Sequence, residues 1–145
     1  MLCFAPLIMV GALLSLNTPD HRVERQDGAV IDLQTCKTGL GAHVTAASSG
    51  LYALGGHYGF TFQPKPDWTF TVQPRAGFSY VDHAVRDVFG VEAVPMRLQF
   101  ETGLMGIISY DRFHGAISYV HFSNAGLRPP NTGIDQILLL TGVSF

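Results

Sequence analysis

The sequence predicts an all-β fold, a small antiparallel β-barrel of the outer-membrane type. Three observations carry this. From about residue 38 onward apolar and polar residues alternate with a period of two. Several of these runs meet or exceed the roughly 9–11 residues that a tilted strand needs to cross a bilayer. Tight connections also alternate with long ones. Composition agrees: charged residues make up 14% of the chain, well below the roughly 25% usual in soluble domains. At 145 residues the chain most simply forms one domain. The net charge of −2 and the scattered basic residues argue against a nucleic-acid partner. A soluble β-sandwich would share the alternation, but its strands average about 5–6 residues. Strand length favours the membrane.

Residues 2–16, LCFAPLIMVGALLSL, form one long apolar run. It is short for a membrane-spanning helix, which needs about 20 residues, and it has the apolar core of a signal peptide. No Lys or Arg precedes it, no A-x-A site follows, and Pro6 interrupts it. The run predicts an export segment over residues 1–16, with a mis-set or truncated start as the alternative. Residues 17–37 are polar and read as a lead-in, in which Asp27-Gly28 is a weakly flanked hairpin signal. Cys3 would leave with the export segment and Cys36 would stand unpaired, so neither supports a disulfide framework or a metal site. The barrel domain is then 38–145.

Within it, GLYALGGHYGFTFQ (50–63) places Leu54, Tyr58, Phe60 and Phe62 on one face and His57, Thr61 and Gln63 on the other. WTFTVQPRAGFSYV (68–81) alternates Phe70, Val72, Phe78 and Tyr80 with Thr71, Gln73, Arg75 and Ser79. PMRLQFETGLMGIISY (95–110) alternates Leu98, Phe100, Leu104 and Ile108 with Arg97, Gln99, Glu101 and Ser109. With 38–48, 112–123 and 133–145 this makes about six strands. Arg75, Arg97, Gln99 and Glu101 are expected to form a charged network inside the barrel. PKPD (64–67) and Asp111-Arg112 read as tight turns, 82–94 and 124–132 as long loops on the extracellular side. The terminal Phe145 ends an amphipathic last strand.

Parity then singles out three residues. In 112–123, Phe113, Ile117, Tyr119, His121 and Ser123 share the lipid-facing side; in 133–145, Asp135 shares it with Ile137, Leu139 and Val143. If Ser123 opposes Gly133 across the hairpin, His121 directly opposes Asp135, at a Cβ separation of about 4.5–5.5 Å. A hydroxyl, an imidazole and a carboxylate are the parts of a hydrolase triad. One outward polar residue near a membrane interface costs only about 0–1 kcal/mol and is ordinary. Three in complementary roles on one face are less so. His43, His57 and His114 fall on interior faces and read as members of polar networks, and His83 lies in a loop. No histidine or carboxylate spacing suits a metal. AGLRPPNTG lacks a P-loop pattern, so Arg128 reads as a solvated loop cation before a lipid-phosphate contact.

The segment HFSNAGLRPPNTGID (121–135) resembles the signature of the lipid A 3-O-deacylase family (PagL), His-x-Ser-Asn-Ala-Gly-Leu followed by Asn-x-Gly-Ile and an acid. The match is dense over 119–135 and weaker back to about residue 67. The resemblance implies an eight-stranded barrel in the bacterial outer membrane that removes an acyl chain from lipid A in lipopolysaccharide. It puts His121 at the family's base, Ser123 at its nucleophile and Asn124 at the residue associated with the oxyanion, with Ala125 and Gly126 N–H groups beside it. Asp135 stands where the family has Glu, one methylene longer. Two strands must therefore come from residues 1–37, or the barrel is reduced. The chemistry requires no metal or cofactor; the partners are lipid A and the membrane, and a homo-oligomer is left open. The competing readings are a non-enzymatic small barrel and a homologue that has lost turnover.

Overall fold

The structure, a computed structural model, describes residues 6–16, 27–35, 39–48, 52–60, 62, 70–82, 85–86, 92–94, 97–127 and 133–145. Its strands are β1 (Pro6–Leu16), β2 (Gly28–Thr35), β3 (Gly41–Ala47), β4 (Tyr52–Gly59), β5 (Phe70–Val81), β6 (Val85–Arg86), β7 (Glu92–Val94), β8 (Leu98–Tyr110), β9 (Phe113–Ser123) and β10 (Ile134–Ser144). Eight of them close into an antiparallel barrel in the order β1-β10-β9-β8-β5-β4-β3-β2, and β6 with β7 forms a separate small ladder in the β5–β8 connection. The expected fold class is therefore the observed one.

The two strands that the alternation did not reveal lie in the first 37 residues. The run that reads as an export segment is a wall strand over Pro6–Leu16, pairing with β10 from Leu7↔Ser144 to Leu16↔Asp135. Part of the polar lead-in is β2, paired with β1 and β3. The barrel thus begins at Pro6 and not at residue 38. A period of two shows only where the two faces differ in polarity. In β1 both faces are apolar, Leu7, Met9 and Leu13 inward against Ile8, Val10 and Leu14 outward. In β2 the alternation is present, with Val30, Asp32 and Gln34 buried against exposed Ile31 and Leu33, but eight residues between polar flanks make a weak signal. Asp27-Gly28 is not a tight turn. Gly28 opens β2, while the Asp27 side chain accepts the Ser15 N–H at 3.0 Å and its carbonyl accepts the Ser48 N–H at 2.7 Å.

Every barrel strand exposes at least one large apolar residue on its outer face, among them Val10, Ile31, Val44, Leu54, Phe78, Leu104, Ile117 and Leu139. No helix among the described residues is long and apolar enough to cross a membrane; the crossing elements are strands. Phe60, Phe62, Tyr110, Phe113 and Phe145 ring one end in exposed positions. The tight Asp111-Arg112 turn, the start of β1 and Phe145 lie there, with the Phe145 N–H donating to the Pro6 carbonyl at 3.4 Å. The connections 17–27, 82–97 and 124–133 leave from the opposite end. PKPD (64–67) lies outside the described residues.

The interior is filled, and polar at its middle. Asp32 on β2 is fully buried, and Arg75 on β5 donates to its Oδ2 at 2.7 Å. His57 turns Nε2 toward the same oxygen at 3.1 Å and donates its Nδ1 proton to the Gly39 carbonyl at 3.1 Å. Beside this set, Ser79 donates to Glu101 Oε2 at 2.5 Å, and its oxygen lies 3.1 Å from His43 Nε2. Gly55 faces them without a side chain; a Cβ there would collide with Ser79 Oγ and the His43 ring. Gln99 and Glu101 are buried as expected, but Arg97 is exposed just before β8, donating to the Tyr80 hydroxyl at 3.1 Å. It caps the wall outside the interior network, because it lies beyond the last pair of the β5–β8 ladder, Tyr80↔Leu98.

Breaking one partner of a buried ion pair strands the other charge in a medium that cannot solvate it. Arg75→Met should therefore destabilise the barrel by about 3–5 kcal/mol, read as a lowered midpoint of unfolding and of heat-modifiable gel mobility. An unchanged midpoint would show that Asp32 does not depend on Arg75.

Candidate active site

The site lies on the outer wall at the long-loop end, where β9 and β10 meet. Their ladder pairs Phe122 with Ile134, His121 with Asp135 and Tyr119 with Ile137. Extended by one residue, that register sets Gly133 opposite Ser123. Phe122, Val120 and Ser118 are buried in the interior, so by strand alternation Ser123, His121 and Tyr119 point outward. Asp135 is outward by the same rule, between Ile134 and Gln136, and Leu16 of β1 opposes it on its other side. Although it faces out, Asp135 is only 5% exposed.

Direct opposition makes the short acid sufficient. His121 Nδ1 lies 2.8 Å from Asp135 Oδ1, so no strand shift or bridging water is needed. A carboxylate oxygen accepts, so Nδ1 carries the proton, which leaves the Nε2 lone pair of a neutral ring for another partner. The same Oδ1 accepts a second hydrogen bond, from the Tyr119 hydroxyl at 2.5 Å. Tyr119 opposes Ile137 and so reaches Asp135 diagonally, a span that long aromatic side chains cover. His121 itself is partly accessible, at 29% of its side chain.

Ser123 ends β9 two residues beyond His121 on the same face, partly exposed. Its Oγ faces the Ala125 N–H at a long 3.5 Å. Asn124 has the opposite parity and is fully buried. Its Oδ1 accepts the Gly126 N–H at 2.9 Å and its carbonyl accepts the Leu127 N–H at 3.1 Å. Ala125 and Gly126 both have left-handed backbone, φ 54° and 76°. Asn124 thus organises the turn just after the hydroxyl, and the Ala125 N–H points toward Ser123. Arg128 and His83 lie outside the described residues.

Two residues near the pair were not singled out by the sequence. Tyr119 was visible as a member of the outward parity set, but only the diagonal geometry shows it on the carboxylate. Gly133 has φ 73° and lies under the imidazole: a Cβ there would be 2.6 Å from His121 Cε1 and 2.8 Å from the Phe122 carbonyl. Its signal was the glycine directly before the β10 run.

Other clusters serve the scaffold. His114 lies 2.8 Å from Ser109 and 3.0 Å from Ser144 at the tight-turn end. Among the described residues, Asp32, His43 and His57 bring ligand atoms within 4.8 Å of one another, a spread that would suit a metal ion. Chain spacing did not show this, because three strands contribute one residue each. The guanidinium of Arg75 already lies on the Asp32 carboxylate at 2.7 Å, so that charge has its cation. An apolar groove of about 580 Å³ on the outer wall, floored at Gly106 and Gly115 and bordered by Phe70 and Phe113, sits toward the tight-turn end, away from His121.

A closed eight-stranded barrel with an apolar outer wall, carrying a histidine–carboxylate pair beside a serine on that wall, defines an outer-membrane β-barrel with hydrolase-type side chains facing lipid. The sequence matches the family model described as Lipid A 3-O-deacylase (PagL) over residues 16–144, and the chain belongs to that family. Outer membrane is accordingly its location. Among solved structures it is similar to the "Crystal structure of the outer membrane enzyme PagL", with a TM-score of 0.61 and 18% identity over 94% of this chain and 99% of that one; at that identity the likeness speaks to the fold. Comparison with curated protein sequences gives no match.

Gly133→Ala should lower turnover by about a hundredfold, because the new methyl must displace the imidazole and a displacement near 1 Å costs on that order. Measuring ester release from lipopolysaccharide by a folded Gly133→Ala barrel tests it; wild-type turnover would remove the glycine from the site's design.

Proposed function

We propose that the protein hydrolyses the ester that links an acyl chain to position 3 of lipid A, with Ser123 as nucleophile, His121 as base and Asp135 as the acid behind it. Family membership supports the substrate class. The single observation that carries the residue roles is the 2.8 Å His121–Asp135 contact next to Ser123 on the lipid-facing wall. A soluble hydrolase needs a cleft to exclude water and hold substrate. Here the substrate already lies in the outer leaflet against the wall, and the bilayer itself supplies the dry side.

In this scheme Nε2 of His121 takes the Ser123 proton as Oγ attacks the ester carbonyl carbon. The tetrahedral oxyanion forms beside the Asn124–Gly126 turn, where the Ala125 N–H faces Ser123 Oγ at 3.5 Å. Asn124 keeps that turn in place through Gly126. Collapse breaks the ester bond, and the imidazolium returns its proton to the departing sugar oxygen. Water, deprotonated by the same imidazole, then cleaves the acyl-serine and releases the fatty acid. Asp135 holds the ring in one tautomer and stabilises its charged form throughout.

Mass analysis of lipid A before and after exposure to the purified barrel is the direct test. Ser123→Ala and His121→Asn should each lower release of the chain by about 10³-fold or more while heat-modifiable mobility persists. Ser118→Ala, on the interior face, should spare turnover. Full activity in Ser123→Ala would end the assignment, and an inactive wild type would favour a barrel without turnover.

The acid admits a sharper test. Asp135→Asn should lower kcat by about a hundredfold or more with little change in KM, since orientation and charge stabilisation act on the chemical step. Because Asp135 already reaches His121 without a gap, Asp135→Glu should crowd the pair and slow turnover by less than about tenfold. Faster turnover with Glu would show that the shorter acid is a defect.

A further inference from the structure

We propose that Tyr119 is a positioning residue of this site, its hydroxyl fixing the Asp135 carboxylate so that Asp135 can hold His121. The inference rests on the deacylase reading above and adds a residue to it. Tyr119 and His121 place two donors on one oxygen of Asp135, at 2.5 Å and 2.8 Å. A carboxylate that is 5% exposed on a lipid-facing wall has little water to satisfy it, so it depends on donors from the protein. His121 alone is a poor anchor, because the imidazole is the group that must move charge during the reaction. The tyrosine is a neutral donor on a rigid ring, set on the strand opposite. It anchors the carboxylate without adding a cation that would compete with the imidazolium.

The shortness of the acid gives this contact its reason. An aspartate carboxylate stands one methylene closer to its strand than a glutamate would, and its position is set largely by χ1 and χ2. The diagonal hydroxyl of Tyr119 determines which of those rotamers is kept. A tyrosine near an outer-membrane interface is common for its amphipathic ring alone. That role requires no contact with an acid, and it predicts that removing only the hydroxyl changes nothing in catalysis.

The experiment uses the full-length barrel in detergent with purified lipopolysaccharide as substrate, and compares wild type, Tyr119→Phe, Asp135→Asn and the double variant, with Ser123→Ala as reference. Tyr119→Phe is expected to remain heat-modifiable and to lose about tenfold in kcat, the scale of one hydrogen bond to a charged group, with KM unchanged. The double variant is expected to be no slower than Asp135→Asn alone, since Tyr119 acts only through that carboxylate. Should the Phe barrel fail to assemble, Tyr119→Trp keeps an interfacial ring while misplacing the donor, and a comparable fall in kcat supports the proposal. Wild-type kcat in either variant, or losses that multiply in the double variant, overturns it. If Ser123→Ala abolishes release while Tyr119→Phe does not alter it, only the tyrosine's role fails. If Ser123→Ala remains active, the underlying reading fails and the tyrosine's role with it.

Discussion

Closure of the sheet is the constraint on which the rest of this molecule depends. In hydrocarbon an unpaired backbone N–H or C=O has no water to turn to, so an open edge is not tolerated and the first strand must find the last. The β1–β10 ladder does this over ten residue pairs, from Leu7↔Ser144 to Leu16↔Asp135. From closure follow the adjacency of the start of β1 to the end of β10 and an enclosed interior that alternate residues of every wall strand face. It also explains why Pro6–Leu16 cannot be spared from the wall. Without them β2 and β10 would each carry a free edge.

Parity within a closed wall is what makes the outward candidate site unusual. Side chains that leave the interior meet lipid, so a functional group placed there must be satisfied by its own neighbours. Asp135 meets this demand in two ways. It lies directly opposite His121 and it receives Tyr119 along the diagonal, while Leu16 opposes it on the other ladder. The result is a buried carboxylate on an outer surface, with a partly accessible imidazole and hydroxyl beside it. Gly133 completes the arrangement by leaving room for the ring.

The interior has a different task. Small barrels of this width have no lumen to spare, and the polar side chains that face inward must pair across it. Asp32 with Arg75 and His57, and Glu101 with Ser79 and His43, tie β2, β3, β4, β5 and β8 together. Apolar residues such as Met9, Leu13 and Met105 fill the rest. This cross-bracing holds the wall against which β9 and β10 keep their register, and the geometry of the site is only as fixed as that register.

What the residues by themselves determined was the face and the side chains that share it. Alternation in 50–63, 68–81 and 95–110 marked strands whose two sides meet different media, and the same counting placed His121, Ser123 and Asp135 on one outward surface. The dense resemblance over 119–135 supplied the family. Tertiary structure decided what local pattern could not express. Strand β1 is apolar on both faces, so its membership in the wall is visible only once its partners β2 and β10 are in place. Arg97 shares parity with Gln99 and Glu101, yet it lies past the end of the ladder and never enters the interior. The contact of Tyr119 with Asp135, the seat of His121 over Gly133, and the meeting of Asp32, His43 and His57 each join residues on different strands or across a loop. Sequence distance carries no record of such contacts, because the register between strands, set by closure and by packing across the barrel, is what brings them together.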